Sequence, residues 1–347
     1  MDQAVVDLYL ARIGADRPAS RDGEALADLQ ERHLRAVPFE NLSIHLGEEI
    51  VLEEAALVDK VVTRGRGGFC YELNGLFAAL LRALGFRVTL LAARVNGQDG
   101  FGPPFDHLAL RVDASEPWLA DVGFGHFSHH PLRLDVAGEL ADPGGRFRIT
   151  RTADGDLDVL RDGEPQYRIE PRPRALADFE PTCWWHQTSS TSSFTRSLVC
   201  SRLTDGGRVT LSGRTLIETA GEDRRERTLA TDAEVLDAYR AHFGVVLDRV
   251  PSLLSSDAPQ ARSGRNRMED QSAINRINEL AREEHELFQK ESTGQVTDAE
   301  RERLRDLQVE LDQCWDLLRQ RRARRAAGLD PDEAIVRDEG TVEGYLG

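Results

Sequence analysis

The hydrophobic period of this chain changes near residue 85, and that change limits it to folds that set a helical part against an antiparallel sheet. Upstream, residues 2–13 and 22–37 read as helices, the second with Leu26, Leu29 and Leu34 on one side and a stop before Pro38. Pro38-Phe39-Glu40-Asn41 reads as a loop with one buried aromatic. Residues 52–62 predict another amphipathic helix. Leu73, Leu76, Phe77, Leu80 and Leu84 then recur at three- and four-residue steps until Gly85 ends the run. Downstream the pattern is β. Residues 88–95 run into the turn signal Asn96-Gly97, residues 107–112 alternate, and residues 118–122 resume after the turn at 113–117. Short strands separated by Pro143-Gly144-Gly145, Asp154-Gly155 and Asp162-Gly163 would complete a barrel or sandwich. Two further strands, 197–203 and 208–218, precede a helix opened by Thr231 with Glu234 three positions on, a capping box.

Two glycines and a cysteine stand where the fourth helix begins, in Arg66-Gly67-Gly68-Phe69-Cys70-Tyr71-Glu72-Leu73-Asn74. Such glycines let the backbone turn sharply and approach a ligand closely. At a helix start the unpaired N–H groups and the dipole favour an anion, so the thiol pKa of Cys70 is expected to fall. A helix-start cysteine by itself is more often a small buried hydrophobe, so its partners decide the matter. The hairpin turn centred near residue 115 places His107 opposite positions 121 to 123, within direct or diagonal reach of Asp121. Cys70, His107 and Asp121 would supply a nucleophile, a base and a group that orients the base. Gly123-Phe124-Gly125 follows at once and suits a tight loop beside a ligand.

The 347 residues carry 44 Lys and Arg against 60 Asp and Glu, a net charge of −16. A surface so acidic would repel nucleic acid and anionic membranes, which leaves small molecules as the expected partners. Cys70, Cys183, Cys200 and Cys314 form no CxxC pair and no zinc-type spacing, so neither a metal site nor a disulfide framework is expected. Residues 1–14 lack the pattern of a signal peptide, and no stretch approaches the ~20 apolar residues of a membrane span. A reducing cytoplasm fits these features.

Residues 251–267 are rich in Pro, Ser, Gly and Arg and read as a linker. Beyond Met268 come two amphipathic segments. Ile274, Ile277, Ala281 and Phe288 mark one, stopped by Gly294; a second is opened by Thr297 and Glu300 and carries Leu304, Leu307, Leu311, Cys314 and Leu318. A helical hairpin of this size makes a poor core alone, so residues 268–347 are expected to pair with a second copy, a protein partner or the first region. The arginines at 321, 322, 324 and 325 read as a solvated helix end whose cations complement the dipole.

The blocks Pro38-Phe39-Glu40-Asn41, Arg66 to Asn74, Asp106-His107-Leu108 and Asp121-Val122-Gly123-Phe124-Gly125, in this order, closely resemble the arylamine N-acetyltransferases over residues 1–250. The resemblance implies an α+β fold of cysteine-protease-like architecture. A helical bundle would span 1–85, an antiparallel β-barrel 86–185, and a small α/β lid 186–250. It implies acetyl-CoA as co-substrate, no metal, and an aromatic amine or hydrazine as acceptor. Transfer would be ping-pong through an acetyl-cysteine at Cys70, with His107 as base and Asp121 holding its tautomer. It also implies that Phe39 and Phe124 flank the acyl and amine pocket and that Gly123, Phe124 and Gly125 border the CoA cleft. Residues 183–194 resemble the family's Asn-Trp-Tyr and Ser/Thr-rich block, with Cys183 in place of asparagine and without its usual proline. Residues 311–322 resemble a small uncharacterised bacterial helical family. The same fold with Cys70, His107 and Asp121 also suits an amide synthase acting on a polyketide-type thioester, or a non-catalytic sensor or scaffold whose helical hairpin makes the contacts.

Overall fold

The computed structural model describes residues 1–97, 100–221, 223–253, 297–326 and 329–337, with scattered positions between 276 and 290. It divides into two compact units, Met1–Leu254 and Ser255–Gly347. Among the described residues no helix is long and apolar enough to cross a membrane.

The first unit begins with α1 (Gln3–Ile13) and α2 (Gly23–Ala36). Each is opened by an aspartate, Asp2 or Asp22, whose carboxylate accepts a first-turn N–H. Next come the short β1 (Phe39–Glu40), α3 (Leu42–Leu46) and α4 (Glu54–Val58), and then α5 (Cys70–Ala83). Two sequence expectations need correction here. The helix expected over 52–62 is α4 continued by wider π-helical turns over Asp59–Thr63. The loop expected at 38–41 contains a strand, because Phe39 and Glu40 pair with Ser201 and Cys200 and the Glu40 N–H donates to Gly68 O at 2.8 Å. Buried backbone groups must find partners, and this segment finds them on both sides.

The barrel is built from β2 (Arg87–Gly97), β3 (Gly100–Phe101), β4 (His107–Asp113), β5 (Pro117–Ala120), β6 (Leu132–Arg133), β7 (Glu139–Asp142), β8 (Gly145–Arg151), β9 (Leu157–Arg161) and β10 (Glu164–Arg174). Eight of them run antiparallel in the order β6-β5-β4-β2-β10-β9-β8-β7, with β3 on β2. This near-closed barrel and its flanking helices make the fold α+β. The Asp142 carboxylate, at the end of β7, accepts from the N–H groups of His129 and His130 just before β6, which draws the edges together. The two-residue period of β4 sorts its side chains: Leu108, Leu110 and Val112 pack toward α5, whereas Ala109 packs inside the barrel with Phe127, Phe147 and Tyr167. His107 has the parity of Ala109. α5 is the hub of the helical core, with Leu73, Leu76, Phe77, Leu80 and Leu81 fully buried. Each such side chain contributes about 1.5–3 kcal/mol of burial.

After β10 come α6 (Glu180–Thr188), α7 (Ser193–Arg196), the strands β11 (Val199–Thr204), β12 (Gly207–Ser212), β13 (Thr215–Ala220) and β14 (Asp223–Thr228), and α8 (Asp232–Phe243). β1 and these four strands form a second antiparallel sheet, covered by α8 through Val235, Ala238, Tyr239 and Phe243. The capping box of Thr231 and Glu234 is formed.

In the second unit the helix Asp298–Ala326 starts with the expected capping box: Glu300 N donates to Thr297 Oγ1 at 3.3 Å and Thr297 N to the Glu300 carboxylate at 2.8 Å. Leu304, Leu307 and Leu311 are buried, as are Ile277, Leu280 and Leu287. Of the arginine run, Arg321 is buried against Asp332 at 2.6 Å and Arg324 pairs with Glu333, so these two are neutralised by acids rather than solvated. The linker positions 254–267, together with Ile274, Ala281 and Phe288, lie outside the described residues.

Candidate active site

Cys70 is the first residue of α5 and is buried. The turn before it is held by charge pairs: Glu72 accepts from Phe69 N at 3.2 Å and from Lys60 Nζ at 2.6 Å, while Arg66 pairs with Glu40 at 3.0 Å and Glu48 at 3.2 Å. A Cβ on Gly67 would stand 1.9 Å from Pro38 O, and one on Gly68 would stand 2.7 Å from Glu72 Oε2. The glycines expected to face a ligand therefore admit the protein's own backbone and carboxylate. The glycine that lies on the cysteine is Gly123, where a Cβ would stand 2.6 Å from Cys70 Cα.

β4 and β5 place the base and its partner. Their register pairs Leu110 with Ala120, which continues to His107 opposite 123 and sets Asp121 on the diagonal. His107 Nε2 lies 2.7 Å from Asp121 Oδ2, both groups buried. Asp121 Oδ1 accepts from Asn74 Nδ2 at 2.8 Å and Gly123 N at 2.9 Å, and Oδ2 also accepts from Tyr167 OH at 3.1 Å. Asn74 does more: its Nδ2 donates to Leu108 O at 2.7 Å and its Oδ1 accepts from Val122 N at 2.9 Å. One turn of α5 beyond Cys70, it fastens the cysteine's helix to both strands that carry the other two groups. Gln30 of α2 accepts from Asp121 N at 3.2 Å and donates to His129 O at 3.3 Å.

The electrostatics follow from this packing. Burial alone would raise the Asp121 carboxyl, but His107, Asn74 and the Gly123 N–H more than offset it, and the group ends below the usual carboxylate range. Tyr167 is pushed well up by burial and by the Asp121 charge, so its hydroxyl stays a donor. Cys70 departs from expectation. Burial pushes its thiol well up, the Leu108 N–H pulls the other way, and the charges of Asp106, Asp121 and Cys183 add to the rise. The dipole of one helix start does not outweigh complete desolvation.

Aromatic rings enclose the group. Phe124 meets His107 with centroids 5.2 Å apart and Tyr167 at 5.0 Å. Phe39 faces Phe194 at 6.3 Å, and its ring is 3.5 Å from where a Cβ on Gly125 would stand. Phe124 thus adjoins His107, Gly123 adjoins Cys70, and the Phe39 ring lies beside Gly125. His186, on α6, sits among Phe69, Tyr71 and Phe194 with Nε2 3.1 Å from Asp106. Asn74, Tyr167 and Gln30 are absent from the sequence-derived set. The four-residue step from Cys70 to Asn74 signals a shared helix face, whereas Gln30 and Tyr167 reach Asp121 from distant elements and leave no local signal.

Comparison with known proteins gives a consistent result. The N-acetyltransferase family model matches residues 22–251, and a family of proteins of unknown function, DUF2630, matches residues 269–347. The arylamine N-acetyltransferase of Mycolicibacterium smegmatis is 35% identical over 251 residues, 69% of this chain and 91% of the relative. Among solved structures, Mycobacterium marinum arylamine N-acetyltransferase in complex with CoA matches with a TM-score of 0.63 and 33% identity, covering 69% of this chain and 92% of that one. The Salmonella typhimurium arylamine N-acetyltransferase matches with a TM-score of 0.67 and 29% identity, covering 74% and 96%.

Proposed function

The chain belongs to the arylamine N-acetyltransferase family, and we propose that it carries the acetyl group of acetyl-CoA to an aromatic amine or hydrazine through a thioester on Cys70. The observation that carries this mechanism is the buried cluster in which Asn74 ties the helix of Cys70 to the His107–Asp121 pair. With His107 Nε2 committed to Asp121, Nδ1 is the ring nitrogen left for proton exchange with the thiol. Because burial holds the Cys70 thiol up, the thiolate comes from proton transfer to His107, whose positive form Asp121 supports.

The thiolate attacks the acetyl carbonyl, the carbon–sulfur bond to CoA breaks, and the departing CoA thiolate takes the proton from His107. The amine then attacks the acetyl-cysteine, its proton passes to His107, and the carbon–sulfur bond to Cys70 breaks to release the amide. An arylamine suits the site because it is largely neutral at pH 7 and needs no prior deprotonation, and Phe39, Phe124 and Phe194 offer ring faces. Strands β11 to β14 and α8, within residues 186–250, act as the lid of this cleft. The test is thiol release on mixing the protein with acetyl-CoA and an aromatic amine or hydrazine. Release is expected from the unaltered chain and none from Cys70→Ala; full release by Cys70→Ala would overturn the mechanism.

A further inference from the structure

The block over residues 183–194 holds a histidine that the transfer steps do not use. His186 is buried, and each of its ring nitrogens meets a polar side chain: Nδ1 lies 3.1 Å from Ser192 Oγ, and Nε2 lies 3.1 Å from Asp106 Oδ1. Asp106 immediately precedes His107, and its second oxygen accepts from Val95 N at 3.2 Å, so this end of the link is tied to the barrel. At the other end Ser192 Oγ accepts from Phe194 N at 3.2 Å.

The rings around this histidine differ in exposure. Phe69 and Tyr71, the chain neighbours of Cys70, are fully buried and meet the His186 ring at 6.2 and 6.0 Å. Phe194 meets it edge to face at 4.8 Å but is only partly buried, as is Phe39, which Phe194 faces. His186 therefore stands behind the ring that stays open and joins it to the residues on either side of Cys70. Residues 182–194 contain no proline to fix their backbone angles. Side chains hold them instead: Ser189 Oγ bonds Thr191 Oγ1 at 2.8 Å, and Phe194 O accepts from Asn41 Nδ2 at 2.9 Å and His45 Nε2 at 3.0 Å. With the carbonyl of Phe194 held from that side, its N–H and its ring depend on Ser192 and His186.

We propose that His186 is a positioning residue for acceptor choice: through Ser192 on one ring nitrogen and Asp106 on the other, it sets the face of Phe194 and so favours acceptors that carry an aromatic ring. The assignment rests on the transfer reading of Cys70. Loss of the link lets the Phe194 ring turn. A ring-bearing reagent then loses a stacking surface, whereas a ringless one loses no contact that it used.

The test compares reagents with and without a ring at the same cysteine. In one arm the chain is acetylated with acetyl-CoA, and its discharge by phenylhydrazine and by hydrazine is timed. In the other, Cys70 is alkylated by N-phenyliodoacetamide and by iodoacetamide, a displacement of iodide that needs no acetyl transfer, and the Cys70 peptide is followed by mass. In both arms the ratio of the ring-bearing rate to the ringless rate is expected to fall about fivefold or more in His186→Phe, which keeps a ring without its nitrogens, and in Ser192→Ala. His186→Asn, whose amide reaches Ser192 as Nδ1 does, should recover most of the ratio. Ratios unchanged in His186→Phe and Ser192→Ala, or rates that fall equally for both reagents, would overturn the assignment. If His186→Phe does not fold, Ser192→Ala and His186→Asn decide the matter by the same ratios. The alkylation arm separates the two claims. If the unaltered chain takes no acetyl group from acetyl-CoA, yet the alkylation ratio falls in the variants, the positioning role stands and the transfer mechanism falls.

Discussion

Asp121, itself buried, receives hydrogen bonds from the buried His107, Asn74 and Tyr167 side chains and from the Gly123 N–H. A carboxylate held this way fixes the ring of His107 and supports its positive form, so Asp121→Asn, which disturbs the tautomer and removes the charge, is expected to lower kcat by about 10³–10⁴-fold. Steady-state kinetics with acetyl-CoA checks this. Asn74→Ala leaves Asp121 Oδ1, Leu108 O and Val122 N each short of a partner. It should cost about 2–4 kcal/mol of stability and also slow acetylation, since the helix of Cys70 loses its tie to the other two groups. Denaturant melts and single-turnover acetylation, measured together, separate the two effects. At this scale the place of Cys70 at a helix start and the meeting of His107 with Asp121 were legible because each sits at a patterned position: a helix start, a strand end and the far arm of a hairpin. Tyr167 was not, because the fifty-nine residues between it and His107 carry no periodicity that says two strands will meet across a barrel.

The elements tell a similar story. α5 was readable because its apolar step is regular and its end is marked by glycine, and β4 with β5 because a Pro-containing turn joins two alternating runs. β1 was not, because two residues cannot display a period and their pairing with β11 and Gly68 is wholly tertiary. The join of α1 to α2 carries a testable consequence. His33 is fully buried, bonded through Nδ1 to Tyr9 OH at 3.0 Å, and burial with the Arg12 charge pushes it down to about 3. Its unfolded value is about 6.5, so between those limits the unfolded chain binds a proton that the native one does not, and stability falls as pH drops from about 6.5 toward 3. The slope is about 1.4 kcal/mol per pH unit from this group. His33→Gln should flatten the urea-midpoint profile over pH 4–6 by that amount, and an unchanged slope would count against a neutral buried ring. Asp121 acts at lower pH with the same sign: its contribution is full above the ordinary carboxylate value and is lost as pH falls through its depressed folded value.

Over the whole molecule, the chain joins a catalytic unit to a helical one, and each has its own buried core. The apolar seam of the second unit was expected from the steps of Leu304, Leu307 and Leu311, and all three are buried. Truncation after Leu254 is expected to keep acetylation of Cys70, whose supporting residues all precede that point, and to remove the pairing expected of residues 268–347 with a second copy, a protein partner or the first region. Light scattering and acetylation kinetics of the shortened chain check both halves. The charge balance of the whole chain was legible at once. The proposed transfer depends on Cys70 as the covalent carrier of the acetyl group. Its most direct test is intact-mass measurement after acetyl-CoA and then after an aromatic amine. One acetyl group is expected on Cys70, absent in Cys70→Ala and discharged by the amine as its amide. An adduct that persists in Cys70→Ala, or one on Cys70 that no aromatic amine or hydrazine discharges, would contradict it.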